Sequence, residues 1–251
     1  MRKHMYRLFP LFSMLGLFFV LVSGCENENE NEDESVNQTN GKTTARFNPE
    51  LTYGTMTDLN GNIYKTVTIG TQTWMAENLR TTKYYDDTPI PNVTDDIEWS
   101  NLTSGAYCSN NNTTIVEKIA TYGMLYNWYA VNSGKLAPMG WHIPTDAEWK
   151  TLTDYLEGIS IAGGKLKETG TTHWYSPNTD ATNENGFTAL PGHCRNERGS
   201  FFDFGHYGYW WSNTEYGAGT ALLRNMVYDD NNVGKYYCLK KYGCSVRCVM
   251  D

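Results

Sequence analysis

No stretch of this 251-residue chain is apolar for long enough to cross a bilayer comfortably. Its main apolar run, residues 8–22, has 15 residues, short of the roughly 20 that a spanning helix needs. No repeat of short period is present either, which sets aside solenoid and propeller arrays. Positive charge is scarce. Lys and Arg number 20 against 28 Asp and Glu, a formal net charge of −8, so the chain has no basic footprint for nucleic acid. His193, Cys194 and His206 match no standard zinc spacing, and no metal or cofactor is expected. What is there is 40% hydrophobic and 14% aromatic, the composition of one full-sized globular domain.

The chain opens on an export signal. Arg2, Lys3 and Arg7 form a basic start, residues 8–22 the apolar run, and Val22-Ser23-Gly24-Cys25 the close. That tetrad resembles the lipobox of bacterial lipoproteins. The resemblance implies a lipoprotein signal peptide over residues 1–24, acylation of Cys25 (palmitate) as the first mature residue, and a membrane reached through that lipid. Removal of the signal leaves 17 Lys and Arg against 28 Asp and Glu, a net charge of −11. Glu26, Glu28, Glu30, Glu32, Asp33 and Glu34 follow directly, in a run with no apolar side chain to bury. Residues 25–50 are therefore expected to form an acidic, disordered tether. An acidic run at this place also resembles the signal that sends Bacteroidetes lipoproteins to the outer face of the outer membrane, which implies that localisation.

Besides Cys25, the cysteines are Cys108, Cys194, Cys238, Cys244 and Cys248, and an exported chain is expected to oxidise some of them. The sequence leaves the pairing open. One pair is set aside, because Cys244 and Cys248, four apart on an expected strand, stand about 13 Å apart and beyond disulfide reach.

Gly140-Trp141-His142-Ile143-Pro144-Thr145-Asp146-Ala147-Glu148-Trp149 reads as a helix start. Thr145 is the N-cap, Glu148 completes a capping box, and Asp146 places negative charge on the first turn. Trp149, Leu152 and Leu156 then form one apolar stripe that ends at Gly158. His142 has two readings, a catalytic base or a structural histidine, and its Trp neighbours favour the second. Asn60-Gly61 and Gly70-Thr71 are hairpin turn signals, so residues 57–59, 62–69 and 72–76 read as an antiparallel meander. Leu125, Trp128 and Tyr129 at helical spacing predict another helix over 122–132. A short strand is expected near 106–108, and a long polar loop after Gly158. Strands are predicted at 187–190, 209–212, 222–228, 234–238 and 243–249. In the last of these, Cys244, Val246 and Cys248 should face inward and Ser245 and Arg247 outward.

These segments, with residues 64–79, 122–131, 186–192, Tyr209-Trp210-Trp211-Ser212 and the ending Ser245-Val246-Arg247-Cys248-Val249, resemble the Fibrobacter succinogenes major paralogous domain. The likeness runs from about residue 57 to the end, which places the domain at 51–251. It names a family of surface lipoproteins without an assigned activity. The Pro-Thr-Asp-Ala-Glu-Trp start and Arg-Cys-Val ending also resemble, more weakly, the C-type-lectin-like fold of sulfatase-modifying enzymes and receptor-binding proteins. The implied fold is α+β and C-type-lectin-like, with two helices packed on short antiparallel strands and a long polar loop region. The family pattern would join Cys108 to Cys248. It has Tyr, Ser or Phe where this chain has Cys194, Cys238 and Cys244, so a second bridge from Cys194 to Cys238 or Cys244 stays open.

From Phe201 to Tyr242 there are 12 aromatics in 42 residues, about twice the density of the chain. Tyr and Trp give wide, stiff contact faces and Asn gives adaptable hydrogen bonds, the chemistry of a binding surface. Tyr207, Tyr209, Tyr216, Tyr228, Asn231, Asn232, Tyr236 and Tyr237 are the candidate ligand contacts, on turns at 205–208, 213–219 and 229–235. The expected function is a non-catalytic binding or adhesion module for a glycan or a surface protein. A structural envelope protein is one alternative. An enzyme is another, either a polysaccharide hydrolase using Asp229-Asp230 or Asp86-Asp87, or a relative of the formylglycine-generating enzymes, whose redox pair Cys238 and Cys244 resemble without matching its spacing. Asp229-Asp230-Asn231-Asn232 is a conceivable calcium loop, but the Glu-Pro-Asn or Gln-Pro-Asp triplet of lectins is missing.

Overall fold

The computed structural model describes residues 39–251. The signal peptide, Cys25 and the acidic run lie outside the described residues. In chain order come strands β1 (Gly54–Thr57), β2 (Ile63–Ile69) and β3 (Gln72–Met75), then helix α1 (Asp96–Ser100), β4 (Tyr107–Ser109), α2 (Val116–Tyr122), β5 (Met124–Asn127) and α3 (Trp128–Val131). There follow β6 (Trp141–His142), α4 (Asp146–Tyr155), α5 (Ile159–Leu166), β7 (Cys194–Arg195), β8 (Phe201–Phe202), β9 (Tyr207–Gly217), β10 (Thr220–Val227), β11 (Gly234–Leu239), β12 (Gly243–Cys244) and β13 (Val249–Met250). They make three antiparallel sheets, in the orders β1-β2-β3-β13-β6, β11-β10-β9 and β4-β5-β12-β7-β8. The architecture is mixed α and β, dominated by antiparallel pairing, with few and short helices.

The meander forms as the turn signals require, with Val67 opposite Trp74 across the second turn. The last strand returns to it: Val249 of β13 pairs with Trp74 on one side and His142 on the other. Helix α4 starts where the sequence places it. Thr145 Oγ1 accepts from the Glu148 N–H, and the Glu148 carboxylate accepts from the Thr145 N–H at 2.8 Å, closing the capping box. Its stripe of Trp149, Leu152 and Leu156 is buried with Trp74, Phe187 and Trp210 in one core cluster.

Several segments differ from the sequence reading, among them residues 187–190, which form only an isolated bridge from Ala189 to Lys167 in place of a strand. The expected helix over 122–132 is instead β5 followed by the four-residue α3. Gly123, at φ 71°, ends α2 where a Cβ would sit 2.7 Å from Asn78 Cβ. Met124, Leu125, Tyr126 and Asn127 are then all buried between β4 and β12, and a strand covered on both faces shows no alternation to separate it from a helix. After Gly158 the expected loop holds helix α5 despite Gly163 and Gly164. Intrinsic propensity disfavours glycine there. Close packing decides it, since the backbone of Asn231 and Asn232 lies directly on Gly163, where a Cβ would collide.

Strand β9 divides the interior. Successive side chains point to opposite faces, so Trp210 enters the cluster of Trp74 and Trp149, while Trp211 enters a second cluster with Tyr126, Leu223 and Cys244. Both indoles are fully buried and hydrogen-bonded, Trp210 Nε1 to Asn78 Oδ1 at 2.9 Å and Trp211 Nε1 to the Tyr126 carbonyl at 2.8 Å. The expected strand at 243–249 is broken into β12 and β13, and Ser245 and Arg247 do not face outward: both are buried with Cys244, Val246 and Cys248. Arg247 is satisfied from within. Its Nε donates to Asn78 Oδ1 at 2.9 Å and its Nη2 to the Thr188 carbonyl at 2.8 Å, while Nη1 reaches the carbonyls of Met75 and Phe187. Burial pulls its pKa down to about 9, which leaves the guanidinium charged at neutral pH.

Residues 39–50 are not tether. Thr39 Oγ1 donates to Asn62 Oδ1 at 2.9 Å and accepts from Arg80 Nε at 2.9 Å, the Arg46 N–H donates to buried Glu168, and Phe47 packs against Tyr53. Composition alone marks this stretch as solvated, because its partners lie up to 137 positions away in sequence.

His142 is structural in its geometry. Its Nδ1 lies 2.6 Å from Asp251 Oδ1 and its Nε2 2.6 Å from Glu148 Oε1, tying the C-terminus to the capping box. Partial burial pushes the imidazole pKa down, but the hydrogen bonds to Asp251 and Glu148 outweigh it and raise the pKa above the ordinary value. Glu148 ends lowered, since the Thr145 N–H and His142 outweigh its own burial. The stabilisation from His142 is therefore complete below pH of about 6.5 and is lost as pH rises through the raised folded value. That from Glu148 is lost as pH falls through its lowered value. Melting temperatures of the wild type and His142→Gln should differ most below the ordinary imidazole pKa and converge as pH rises through the raised folded value; a difference that grows with pH would refute the pairing.

Candidate functional site

The three-stranded sheet β11-β10-β9 carries most of the sequence-predicted contacts. Its register sets Tyr209 opposite Asn225, and Leu223 between Trp211 and Tyr236, with Ala221 opposite Cys238. Partners in register share a face, so Tyr207, Tyr209, Trp211, Tyr236 and Cys238 point the same way. Trp211 and Leu223 sink into the core. Toward the outside, Phe202, Tyr209, Tyr236, Tyr237 and Tyr242 line an open cleft of about 220 Å³, with Cys194 and Cys238 also on its walls.

Tyr209 is held in place by its hydroxyl, which donates to Asp203 Oδ2 at 2.6 Å, and the Tyr207 ring lies parallel to it at 5.6 Å. Tyr236 and Tyr237 are 58% and 59% exposed on the edge strand, and Tyr237 stacks on Tyr216 at 4.4 Å. Burial and the Asp203 carboxylate push the Tyr209 phenol far above its ordinary pKa, and burial with Glu197 pushes Tyr242 up to about 12. Both phenols stay protonated at neutral pH. They offer ring faces and hydroxyl donors, not bases, beside the negative charge of Asp203 and Glu197.

The structure thus lines one cleft with Tyr209, Tyr236 and Tyr237, stacks Tyr207 on Tyr209 and Tyr216 on Tyr237, and leaves Tyr228, Asn231 and Asn232 off its walls. Tyr228 meets His206 edge-on at 5.1 Å and packs against the core cluster of Trp74. Asn231 accepts from the Gly164 N–H at 3.1 Å and donates to Asp180, and Asn232 donates to Asp230 at 2.6 Å. Their backbone lies against Gly163 of α5, and neither lines the aromatic cleft. The conceivable calcium loop is likewise committed: the ammonium of buried Lys167 donates to the carbonyls of Val227 at 2.9 Å and Asp230 at 2.7 Å, so the loop takes its positive charge from the chain itself. Phe202 and Tyr242 were outside the predicted set. Only the aromatic density of residues 201–242 marks them, because their place at the cleft depends on the pairing of β8 with β7.

A larger cleft of about 540 Å³ lies between the first hairpin and α2, lined by Asn60, Asn62, Arg80, Thr82 and Tyr107 among others. Its polar groups are largely used on one another. Asn60 Oδ1 accepts from Thr81 Oγ1 and the Thr82 N–H, Asn62 bonds Asp58 and Thr39, and Arg80 bonds Glu77, Thr39 and the Ile63 carbonyl. His193, Cys194 and His206 are not gathered: His193 stacks on Phe204 at 4.6 Å, His206 lies against Tyr175, and Cys194 meets Cys244.

The family-implied bridge is also absent. All five described cysteines are free, with Cys108 in a cluster with Trp99 and Leu125, and Cys248 in another with Met75 and Leu79. The strand break at residues 245–248 turns Cys248 into the latter cluster.

No curated protein and no solved structure matches the chain. Residues 67–250 match the model of the Fibrobacter succinogenes major domain, and the chain belongs to that family.

Proposed function

We propose that the chain is a non-catalytic ligand-binding module, displayed on the cell surface by a lipid on Cys25, in which a C-type-lectin-like arrangement presents the aromatic cleft to a neutral glycan or to a peptide of a surface protein. The observation that carries this reading is the convergence of Tyr209, Tyr236 and Tyr237, all singled out from sequence, with Phe202 and Tyr242 on the walls of one open cleft. Flat, protonated phenols suit the apolar face of a sugar ring or an aromatic side chain. The nearby carboxylates disfavour an anionic ligand. The return of β13 to pair with β3 supports the lectin-like layout, since it brings the two ends of the domain together.

Titration calorimetry against a panel of neutral polysaccharides and peptides tests the reading. Tyr236→Ala and Tyr237→Ala should each weaken binding about ten-fold, about 1.4 kcal/mol, while stability stays within about 0.5 kcal/mol of wild type, as expected for exposed side chains. Asn231→Ala should instead lower stability and spare affinity. Release of cleaved product would point to a hydrolase, and silence against the whole panel would point to a structural role. For the anchor, Cys25→Ala should move the protein from the membrane to the soluble fraction, because the acyl chain supplies the membrane affinity. Unchanged fractionation would reject the anchor alone.

A further inference from the structure

Cys194 and Cys244 face each other across two strands. Gly243 of β12 pairs with Arg195 of β7, and the antiparallel register therefore sets Cys244 directly opposite Cys194. Directly opposed residues in such a pair have Cα atoms about 4.5–5.5 Å apart, within the separation a disulfide spans. Their sulfurs are 3.3 Å apart, and both residues are buried, at 2% and 0% exposure. Cys238 completes the group. It packs on the same cluster as both, shares the cleft wall with Cys194, and is itself only partly buried.

We propose that Cys238 is an exchange thiol through which an external disulfide, held at the aromatic cleft, oxidises Cys194 and Cys244 to a buried cross-strand disulfide. The Cys238 sulfur gives up its proton and attacks one sulfur of the external disulfide, forming a mixed disulfide and releasing the first external thiol. Cys244 then attacks the Cys238 sulfur, forming a Cys238–Cys244 bond and releasing the second external thiol. Cys194 next attacks Cys244, forming Cys194–Cys244 and returning Cys238 to the thiol. Two electrons and two protons pass from Cys194 and Cys244 to the external disulfide, and Cys238 is regenerated. Such exchange requires in-line access to sulfur, which is why the partly exposed residue must come first. Burial pushes the thiols of Cys194 and Cys244 up, so neither is suited to start the reaction.

The inference does not depend on the glycan or peptide reading, and its test uses no such ligand. The reduced full chain is incubated with oxidised glutathione under native conditions, quenched by alkylation at intervals, and mapped by mass spectrometry without reduction. The expected product joins the peptides of Cys194 and Cys244, with Cys108, Cys238 and Cys248 alkylated. Cys238→Ser should slow its formation at least ten-fold in the native state and leave the rate unchanged in denaturant, where burial no longer controls access. Cys194→Ser should stop the sequence at Cys238–Cys244. Bridge formation at the wild-type rate in native Cys238→Ser would overturn the relay, as would persistence of all five thiols or a Cys238–glutathione adduct that goes no further. Circular dichroism of each reduced variant separates a folding defect from a lost step.

Discussion

Arg247→Met should destabilise the chain by about 3–5 kcal/mol, because it leaves several buried acceptors without a donor at about 1–3 kcal/mol each. Methionine restores much of the volume but none of the donors. The carbonyls of Phe187 and Thr188, which accept from the guanidinium, would be left buried and unpaired. The guanidinium also stacks on Phe187 at 4.2 Å, a contact that methionine replaces only in part. Arg247→Lys should rescue little, because a single ammonium cannot reach acceptors spread around a planar fork. Denaturant midpoints of the three proteins decide it. A methionine variant within about 1 kcal/mol of wild type would mean that the unpaired carbonyls relax at little cost.

Trp149→Ala should cost about 3–5 kcal/mol by emptying core volume. The indole is fully buried, 4.9 Å from Trp74 and 5.9 Å from Phe187 between ring centres. Its Nε1 has no hydrogen-bond partner, so the substitution strands no acceptor and the loss is one of packing. The double variant Thr145→Ala with Glu148→Ala, which removes the cap from the same helix, should cost about 1–2 kcal/mol. The two act on one element by different means, which makes their order informative. If the cap variant proved the more damaging, the bonds from Glu148 to His142 would matter more than the buried face of α4.

Local chemistry that is complete within a few residues was legible from the sequence. The N-cap of α4, the turns of the meander and the aromatic density of residues 201–242 each declare themselves by residue type and short spacing, since capping and turn formation are interactions between near neighbours. Three members of the cleft, Tyr209, Tyr236 and Tyr237, were identifiable on that ground. Phe202 and Tyr242 were not, because nothing local distinguishes an aromatic that lines a cleft from one that fills a core.

Sequence by itself determined the acidic balance, the antiparallel N-terminal meander, the capped helix and the family. Tertiary structure decided what depends on partners far along the chain. It made Met124–Asn127 a strand because β4 and β12 pair with both of its edges, and kept two glycines in α5 because the backbone of Asn231 and Asn232 lies against Gly163 and that of Asp180 against Gly164. It drew residues 39–50 onto the domain, turned Arg247 inward and brought Cys194 to Cys244 across 50 positions. The physical reason is common to all of these. Burial and close approach are properties of assembled surfaces, and a residue type states a preference for them without naming the residue it will meet.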